Sequence, residues 1–156
     1  MIIEYESKYD EDIKDLLVEL QEHIVSIDKE KFNILTDEYR EKYFLDTMNE
    51  VIEKNGKIFI YIEEDKVIGL VIGFINNEEE SSYDFKCPKR GRISELIVSK
   101  NVRSKGIGKL LLNKMEDYLN NLGCKNILIE VFAYNSKALD FYEREGYHLR
   151  MTEVIK

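Results

Sequence analysis

The residues that most clearly suggest chemistry form a short segment, Arg103-Ser-Lys-Gly106-Ile-Gly108, between a strand pattern and a helix pattern. Backbone N–H groups in the first turn of a helix lack internal partners, and the helix dipole adds about half a positive charge there. Glycines let an anion approach the chain closely, and Lys105 and Lys109 add positive charge beside Arg103. The segment therefore suggests a phosphate-binding loop. A plain turn is the alternative that these residues alone leave open.

Two other phosphate-binding motifs do not fit this segment. The Walker motif requires a longer loop that ends in Lys-Ser or Lys-Thr, and the dinucleotide motif requires a third glycine after Gly106 and Gly108. The segment accordingly points to neither an NTP-binding loop nor a Rossmann fingerprint.

Charge is distributed unevenly along the chain. The total is -8, but residues 1–56 carry 16 acidic and 7 basic side chains, a net of -9. Residues 86–109 carry eight basic side chains and one acid, Glu95. This basic stretch suits a polyphosphate, although a solvated basic face would look the same. The acidic total argues against nucleic acid as a partner.

Hydrophobic spacing predicts one mixed α/β domain across residues 1–156. The predicted order is strand, two helices, three strands, helix, strand, helix and a tail that supplies one or two final strands. The stretch from Asn76 to Ser82 is predicted as a loop because it is acidic and contains serine. Strands are expected at Arg92–Val98 and Lys125–Phe132, and a short helix at Asn135–Glu145.

Targeting and metal signals are weak in this sequence. The N-terminal residues do not resemble a signal peptide, and no apolar run approaches the ~20 residues that span a bilayer. We therefore expect no membrane partner. Cys87 and Cys124 lack metal-ligand spacing, so we expect reduced thiols, a cytoplasmic location and no metal site.

The glycine segment resembles the Arg/Gln-x-x-Gly-x-Gly/Ala signature of the GCN5-related N-acetyltransferase (GNAT) family. Ile93–Val98 is similar to that family's central strand. A second match begins at Asn135 and runs through Phe141-Tyr142 to Gly146-Tyr147. Two motifs in the right order, about thirty residues apart, are far less expected by chance than either one.

The resemblance implies a fold and a co-substrate. The implied fold is a mixed, splayed sheet of six or seven strands with helices on both faces. Acetyl-CoA would enter the splay between the strand that ends at Val98 and the strand from Lys125 to Phe132. Such proteins often dimerise, and the sequence leaves open whether this one forms a homodimer.

The resemblance also implies which residues contact acetyl-CoA. Backbone amides of the glycine loop would bind the pyrophosphate, Ile97 and Val98 would pair with the pantetheine arm, and Asn135 would contact the cofactor near its pantetheine end. The loop residues are Arg103, Ser104, Lys105, Gly106, Ile107 and Gly108, with Lys109 beside them.

Acetyl transfer to an amine would then need three groups. A primary amine with a pKa near 10.4 is about one part in two thousand unprotonated at pH 7, so a base must help. Glu95 lies at the central-strand position where related enzymes often carry a carboxylate, and the resemblance implies that it accepts the proton, directly or through water. The Val98 N–H would stabilise the developing oxyanion, and Tyr142 would protonate the departing thiolate. Glu95 has an alternative role as an ion-pair partner of Arg92 or Arg103, and Tyr142 has one as a core tyrosine.

The predicted function is therefore an N-acetyltransferase that acts on an amine, either a small molecule or a peptide. A cationic acceptor is one hypothesis, because the acidic residues 1–56 belong to the part that shapes the acceptor side in similar proteins. Two other readings stay open: a catalytically idle acyl-CoA-binding module and an unrelated nucleotide- or phosphate-binding domain.

Overall fold

The computed structural model describes residues 1–76 and 81–156. Within these ranges the chain forms five strands and four α-helices. Their bounds are β1 Ile2–Glu4, α1 Asp10–Ile27, α2 Tyr39–Glu53, β2 Lys57–Glu63, β3 Lys66–Asn76, β4 Arg90–Val98, α3 Ile107–Asn121, β5 Asn126–Ile129 and α4 Ser136–Arg144.

The strands form one sheet in sequence order, β1-β2-β3-β4-β5. The first three pairings are antiparallel, whereas β4 and β5 run parallel. Glu64 and Asp65, both with positive φ, form the two-residue turn between β2 and β3. A parallel neighbour requires a crossover, and α3 provides it. The sheet is therefore mixed, as the hydrophobic pattern predicts.

Helices cover both faces of the sheet. One core contains residues of α1 and α2 packed on the sheet, including Ile13, Leu17 and Phe44. The opposite core contains the apolar face of α3, including Leu111 and Leu119, packed on the other side. A Cβ at Gly91 would lie 2.7 Å from Leu119 Cδ1, so this glycine lets α3 approach β4 closely.

The tail departs from the prediction. Residues 147–156 form no strand, so the sheet has five strands in the described part of the chain and not six or seven. A strand needs a neighbour with which to form a hydrogen-bond ladder, and the tail pairs with no strand of the described sheet. The predicted strand at Lys125–Phe132 is shorter, at Asn126–Ile129. Residues 77–80 of the predicted loop lie outside the described residues.

None of the helices in residues 1–76 and 81–156 has the length and apolar character needed to cross a membrane.

Candidate active site

The sheet opens between β4 and β5. Their parallel pairing runs from Arg90↔Asn126 to Ile93↔Ile129 and then ends, while β4 continues to Val98. Residues 95–98 therefore pair with β3 on one side and have no strand partner on the other within the described residues. This opening is the splay that the family resemblance implies.

Alternation along β4 decides which peptide groups face the opening. The Ser99 N–H donates to the Ile68 carbonyl on β3 at 2.9 Å. Backbone N–H and C=O groups of successive residues in a strand point to opposite edges, so those of Ile97 also face β3. The peptide groups of Leu96 and Val98 consequently face the open edge.

A β-bulge lies at the point where β4 leaves β5. Ile72 pairs with Glu95 and Gly73 pairs with Ile93, so Ser94 is the extra residue. Without a bulge, Ile93 and Glu95 would point to the same face, because they are two residues apart. In the structure Ile93 packs in the α3 core, whereas Glu95 contacts α2. The bulge thus turns the Glu95 carboxylate towards the face covered by α1 and α2.

Glu95 is a partly buried carboxylate held by a tyrosine. The hydroxyl of Tyr43, on α2, donates a hydrogen bond to Glu95 Oε1. Burial raises the pKa of Glu95 to about 7, the nearby Glu50 carboxylate adds to the rise, and the Tyr43 hydrogen bond opposes it. A carboxylate with a pKa near neutrality is partly ionised at pH 7, which suits a proton acceptor.

Tyr142 lies on α4 within the electrostatic reach of Glu95. Burial, with a smaller contribution from the Glu95 charge, raises the pKa of Tyr142 to about 12. Its ring makes edge contacts with Phe141 and Tyr147 at centroid distances of 5.2 and 5.7 Å. The phenol therefore stays protonated at neutral pH and can donate a proton. The residues to which we assigned acid and base roles are thus close enough for the charge of Glu95 to raise the pKa of Tyr142.

The glycine loop leads directly into α3. Gly106 has φ +77° and precedes the first residue of the helix, Ile107, and no side chain caps this end. A Cβ at Gly106 would meet nothing within 4 Å, so the space beside this residue, at the start of α3, is open. Ser104 also has a positive φ, 69°. Gly108 sits near Val98 and Phe141, which brings the helix start against the end of β4 and against α4.

The basic side chains of the loop have partners. Arg103 Nε donates to the Val98 carbonyl at 2.8 Å, and its Nη2 lies 3.5 Å from Glu19. Lys109 pairs with Glu145 at 2.8 Å, whereas Lys105 lies 3.9 Å from Glu63. Arg103 thus folds back on β4, and the N–H groups of the uncapped first turn are more directly available to an anion than the Arg103 guanidinium.

Asn135 forms the N-cap of α4. Its Oδ1 accepts a hydrogen bond from the Ala138 N–H at 3.3 Å. The cap fixes the start of the helix that carries Tyr142, which is a structural role compatible with a contact to a ligand in the splay.

Residues 18–147 match the acetyltransferase (GNAT) family profile. The match covers both motifs, the splayed strands and the glycine loop. The chain therefore belongs to the GNAT acetyltransferase family.

Two relatives that are named as N-acetyltransferases are similar to part of this chain, in agreement with the family assignment. The chain is 22% identical over 106 residues, 68% of its length, to glucosamine 6-phosphate N-acetyltransferase 1 of Dictyostelium discoideum. It is 30% identical over 89 residues, 57% of its length, to N-alpha-acetyltransferase 30 of Schizosaccharomyces pombe. The matched segments span 66% and 55% of those two relatives, less than two thirds of either.

Solved structures share the fold over the whole chain. A protein from Bacillus halodurans superposes with a TM-score of 0.86 at 18% identity and covers 100% of this chain and 98% of its own. The aminoglycoside N-acetyltransferase AAC(6')-Iy in complex with CoA superposes with a TM-score of 0.73 at 13% identity, covering 100% and 97%. At these identities the likeness establishes the fold.

Sequence reasoning placed Tyr43 in the region that shapes the acceptor pocket in similar proteins, but it predicted neither the contact of Tyr43 with Glu95 nor the roles of Leu96 and Glu19. Leu96 could have been found, because strand alternation implies that Val98 and Leu96 expose their peptide groups together. Tyr43 lies 52 residues before Glu95, and Glu19 lies 81 residues before its partner Lys100. No local pattern signals pairs at such separations.

Proposed function

We propose that the protein is an acetyl-CoA-dependent N-acetyltransferase that transfers the acetyl group directly to an amine. One observation carries the proposal: the open edge of β4 ends beside the uncapped first turn of α3, with Glu95 in this part of β4 and Tyr142 close enough for the Glu95 charge to raise its pKa. Such a reaction needs a strand edge for the amide-containing arm of the co-substrate, a site for its phosphates and an acid–base pair.

The described residues fit acetyl-CoA. The first-turn N–H groups of α3 and the open space over Gly106 suit a pyrophosphate. The pantetheine arm carries amides that can pair with an unpaired strand edge. Because Ile97 turns its peptide groups towards β3, the contact expected at Ile97 passes to Leu96, next to Val98.

The proposed proton path begins at the acceptor ammonium. Glu95 accepts one proton, which creates the free amine, and releases it to solvent after turnover. The amine nitrogen then bonds to the acetyl carbon while the Val98 N–H stabilises the charge on the carbonyl oxygen. As the C–S bond breaks, the CoA thiolate takes the Tyr142 proton, and one of the two protons on the positively charged nitrogen returns through water to the phenolate, which leaves the neutral amide.

Charge supports a cationic acceptor. Helices α1 and α2 lie in residues 1–56, whose net charge is -9, and α2 supplies both Tyr43 and Glu50 near Glu95. An electronegative approach concentrates cations. Initial rates with polyamines, aminoglycosides and lysine peptides should exceed those with neutral amines. Equal kcat/KM for both sets would refute the cationic acceptor. A preference for an amino-sugar phosphate would instead align the chain with its Dictyostelium relative.

The test of the proposal is calorimetric titration with acetyl-CoA, using two matched variants. Gly106→Glu places a carboxylate over the first turn of α3. Gly123→Glu places one at the other end of the same helix, also at a positive φ, 85°, and also in open space. The two substitutions add equal charge and similar backbone strain.

We expect micromolar binding by the wild type, a loss of about thirtyfold or more in Gly106→Glu, and little change in Gly123→Glu. Equal effects of the two variants would place the anion elsewhere. Absence of wild-type binding at millimolar acetyl-CoA would refute the function, and tighter binding of ATP than of CoA would favour a nucleotide-binding domain. Binding without turnover on any amine would indicate the idle acyl-CoA-binding module.

A further inference from the structure

We propose that Tyr43 is a positioning residue for the reaction: its hydroxyl holds the Glu95 carboxylate on the α2 side of the open part of β4 and keeps it available as a proton acceptor. The inference rests on the proposed function, because it assigns Glu95 the role of base. It adds a residue from α2, outside both sequence motifs, to the machinery on β4, α3 and α4.

The hydrogen bond fixes the orientation of the carboxylate. Tyr43 donates to Oε1, and no other side-chain hydrogen bond reaches Glu95 from residues 1–76 and 81–156. Since Oε1 is engaged by a donor, the second oxygen, Oε2, is the better acceptor for an incoming proton. A carboxylate without this bond could rotate about its last torsion, which has a broad energy minimum.

Tyr43 is itself held rigidly. Its ring stacks on Tyr39, one helical turn earlier on α2, with centroids 4.8 Å apart and planes 12° from parallel. Tyr43 also packs at the edge of the core formed by α1, α2 and the sheet. The hydroxyl is therefore presented to Glu95 by a preorganised side chain, and little conformational entropy is lost when the bond forms.

The groups around Glu95 explain why it needs this donor. Glu50 on α2 disfavours ionisation of Glu95, as does burial, while Arg92 on β4 weakly favours it. Tyr39 on α2 and Tyr142 on α4 are uncharged at neutral pH, because burial raises the pKa of both phenols. The Tyr43 hydroxyl is thus the strongest group that stabilises the ionised carboxylate. Burial raises the pKa of Tyr43 as well, so Tyr43 keeps its own proton.

The direct test replaces Tyr43 with phenylalanine, which keeps the stacked ring and removes the hydroxyl. We expect the acidic limb of the kcat/KM–pH profile to shift upward by about one unit, so that the rate falls about tenfold at pH 6 and less above pH 9. A side chain that only supports packing would lower stability or kcat and leave the limb in place.

Tyr5→Phe is the matched control. The Tyr5 hydroxyl also donates to a carboxylate, that of Asp10, at a place remote in the fold from β4. Removing it should leave the pH limb unmoved. The Glu95 carboxyl resonance, assigned by its loss in Glu95→Gln, gives a second readout in ¹³C NMR titrations that needs no turnover.

The outcomes separate the two proposals. Loss of turnover in the wild type with every amine refutes the acetyltransferase, whatever Tyr43 does. If the wild type is active, but the acidic limb and the Glu95 resonance titrate at the same pH in Tyr43→Phe as in the wild type, the role of Tyr43 is refuted and the acetyltransferase is not. A matching upward shift in both readouts, absent in Tyr5→Phe, supports it.

Discussion

The Glu19 carboxylate on α1 accepts a 2.7 Å hydrogen bond from the backbone N–H of Lys100, which lies just after β4. The same carboxylate lies 3.3 Å from the Ser99 hydroxyl and 3.5 Å from Arg103 Nη2, and only 19% of its side chain is exposed. A negative charge therefore anchors the segment that leads into the proposed pyrophosphate loop. Glu19 therefore has two opposite effects on acetyl-CoA binding: its charge repels the pyrophosphate, and its hydrogen bonds order the loop that would bind it.

If charge alone mattered, Glu19→Gln would tighten acetyl-CoA binding by removing repulsion. We predict the reverse, a loss of about fivefold in affinity, because the neutral amide holds Lys100 and Arg103 less strongly and the loop becomes less ordered. Calorimetric titration measures the change. Glu22→Gln removes the same charge from an exposed position on α1 and should not weaken binding. Equal or tighter binding by Glu19→Gln would show that Glu19 does not order the loop.

Glu95 should lower the stability of the fold as pH rises. Its pKa rises from 4.5 to about 7 on folding, so the unfolded chain ionises this group first. Relative to the unfolded chain, its contribution is fully favourable below pH 4.5 and declines until about pH 7. Glu95→Gln does not titrate, so it does not lose stability in this way, and its side-chain carbonyl can still accept the hydrogen bond from Tyr43.

We therefore expect Glu95→Gln to gain stability over the wild type between pH 5 and pH 8.5, by up to about 3 kcal/mol. Urea unfolding at the two pH values measures this difference. Glu22→Gln, measured in the same way, shows how much the free energy of unfolding changes when an exposed carboxylate is removed. A constant difference between Glu95→Gln and the wild type across this range would contradict a partly buried carboxylate with a raised pKa.

Tyr142→Phe should separate chemistry from binding. We expect kcat to fall about a hundredfold while the affinity for acetyl-CoA stays within about twofold, because the phenol protonates the leaving thiolate and does not hold the pyrophosphate. With a pKa of about 12, the wild-type Tyr142 should produce no alkaline limb below about pH 10. Steady-state kinetics and calorimetry measure the two quantities.

Tyr147→Phe is the control for Tyr142. Tyr147 packs edge-on against Tyr142 and donates to Glu116 at 2.6 Å, so its loss tests packing in the same cluster. Full turnover by Tyr142→Phe, or an equal fall in both variants, would remove the acid role from Tyr142.

Local patterns were enough for several parts of the site. The period of apolar residues placed α1, α2 and α3, and the glycines around the start of α3 located the turn that we propose binds the pyrophosphate. These features depend on neighbours within one helical turn or one strand, so they can be read along the chain. The family resemblance rested on the same local residues. The hydrophobic pattern wrongly predicted strands in residues 147–156, because strand formation there depends on whether a sheet edge is available.

The sequence by itself determined that this chain has a mixed α/β fold, a glycine turn at Gly106 before a helix and the two motifs of its family. The tertiary structure decided how the site is assembled. The bulge at Ser94 sets the face on which Glu95 lies, since one inserted residue reverses the direction of every side chain beyond it. The contacts of Tyr43 with Glu95 and of Glu19 with Lys100 join residues 52 and 81 positions apart. Such pairs depend on how helices pack on a sheet, and that packing is fixed by the whole core.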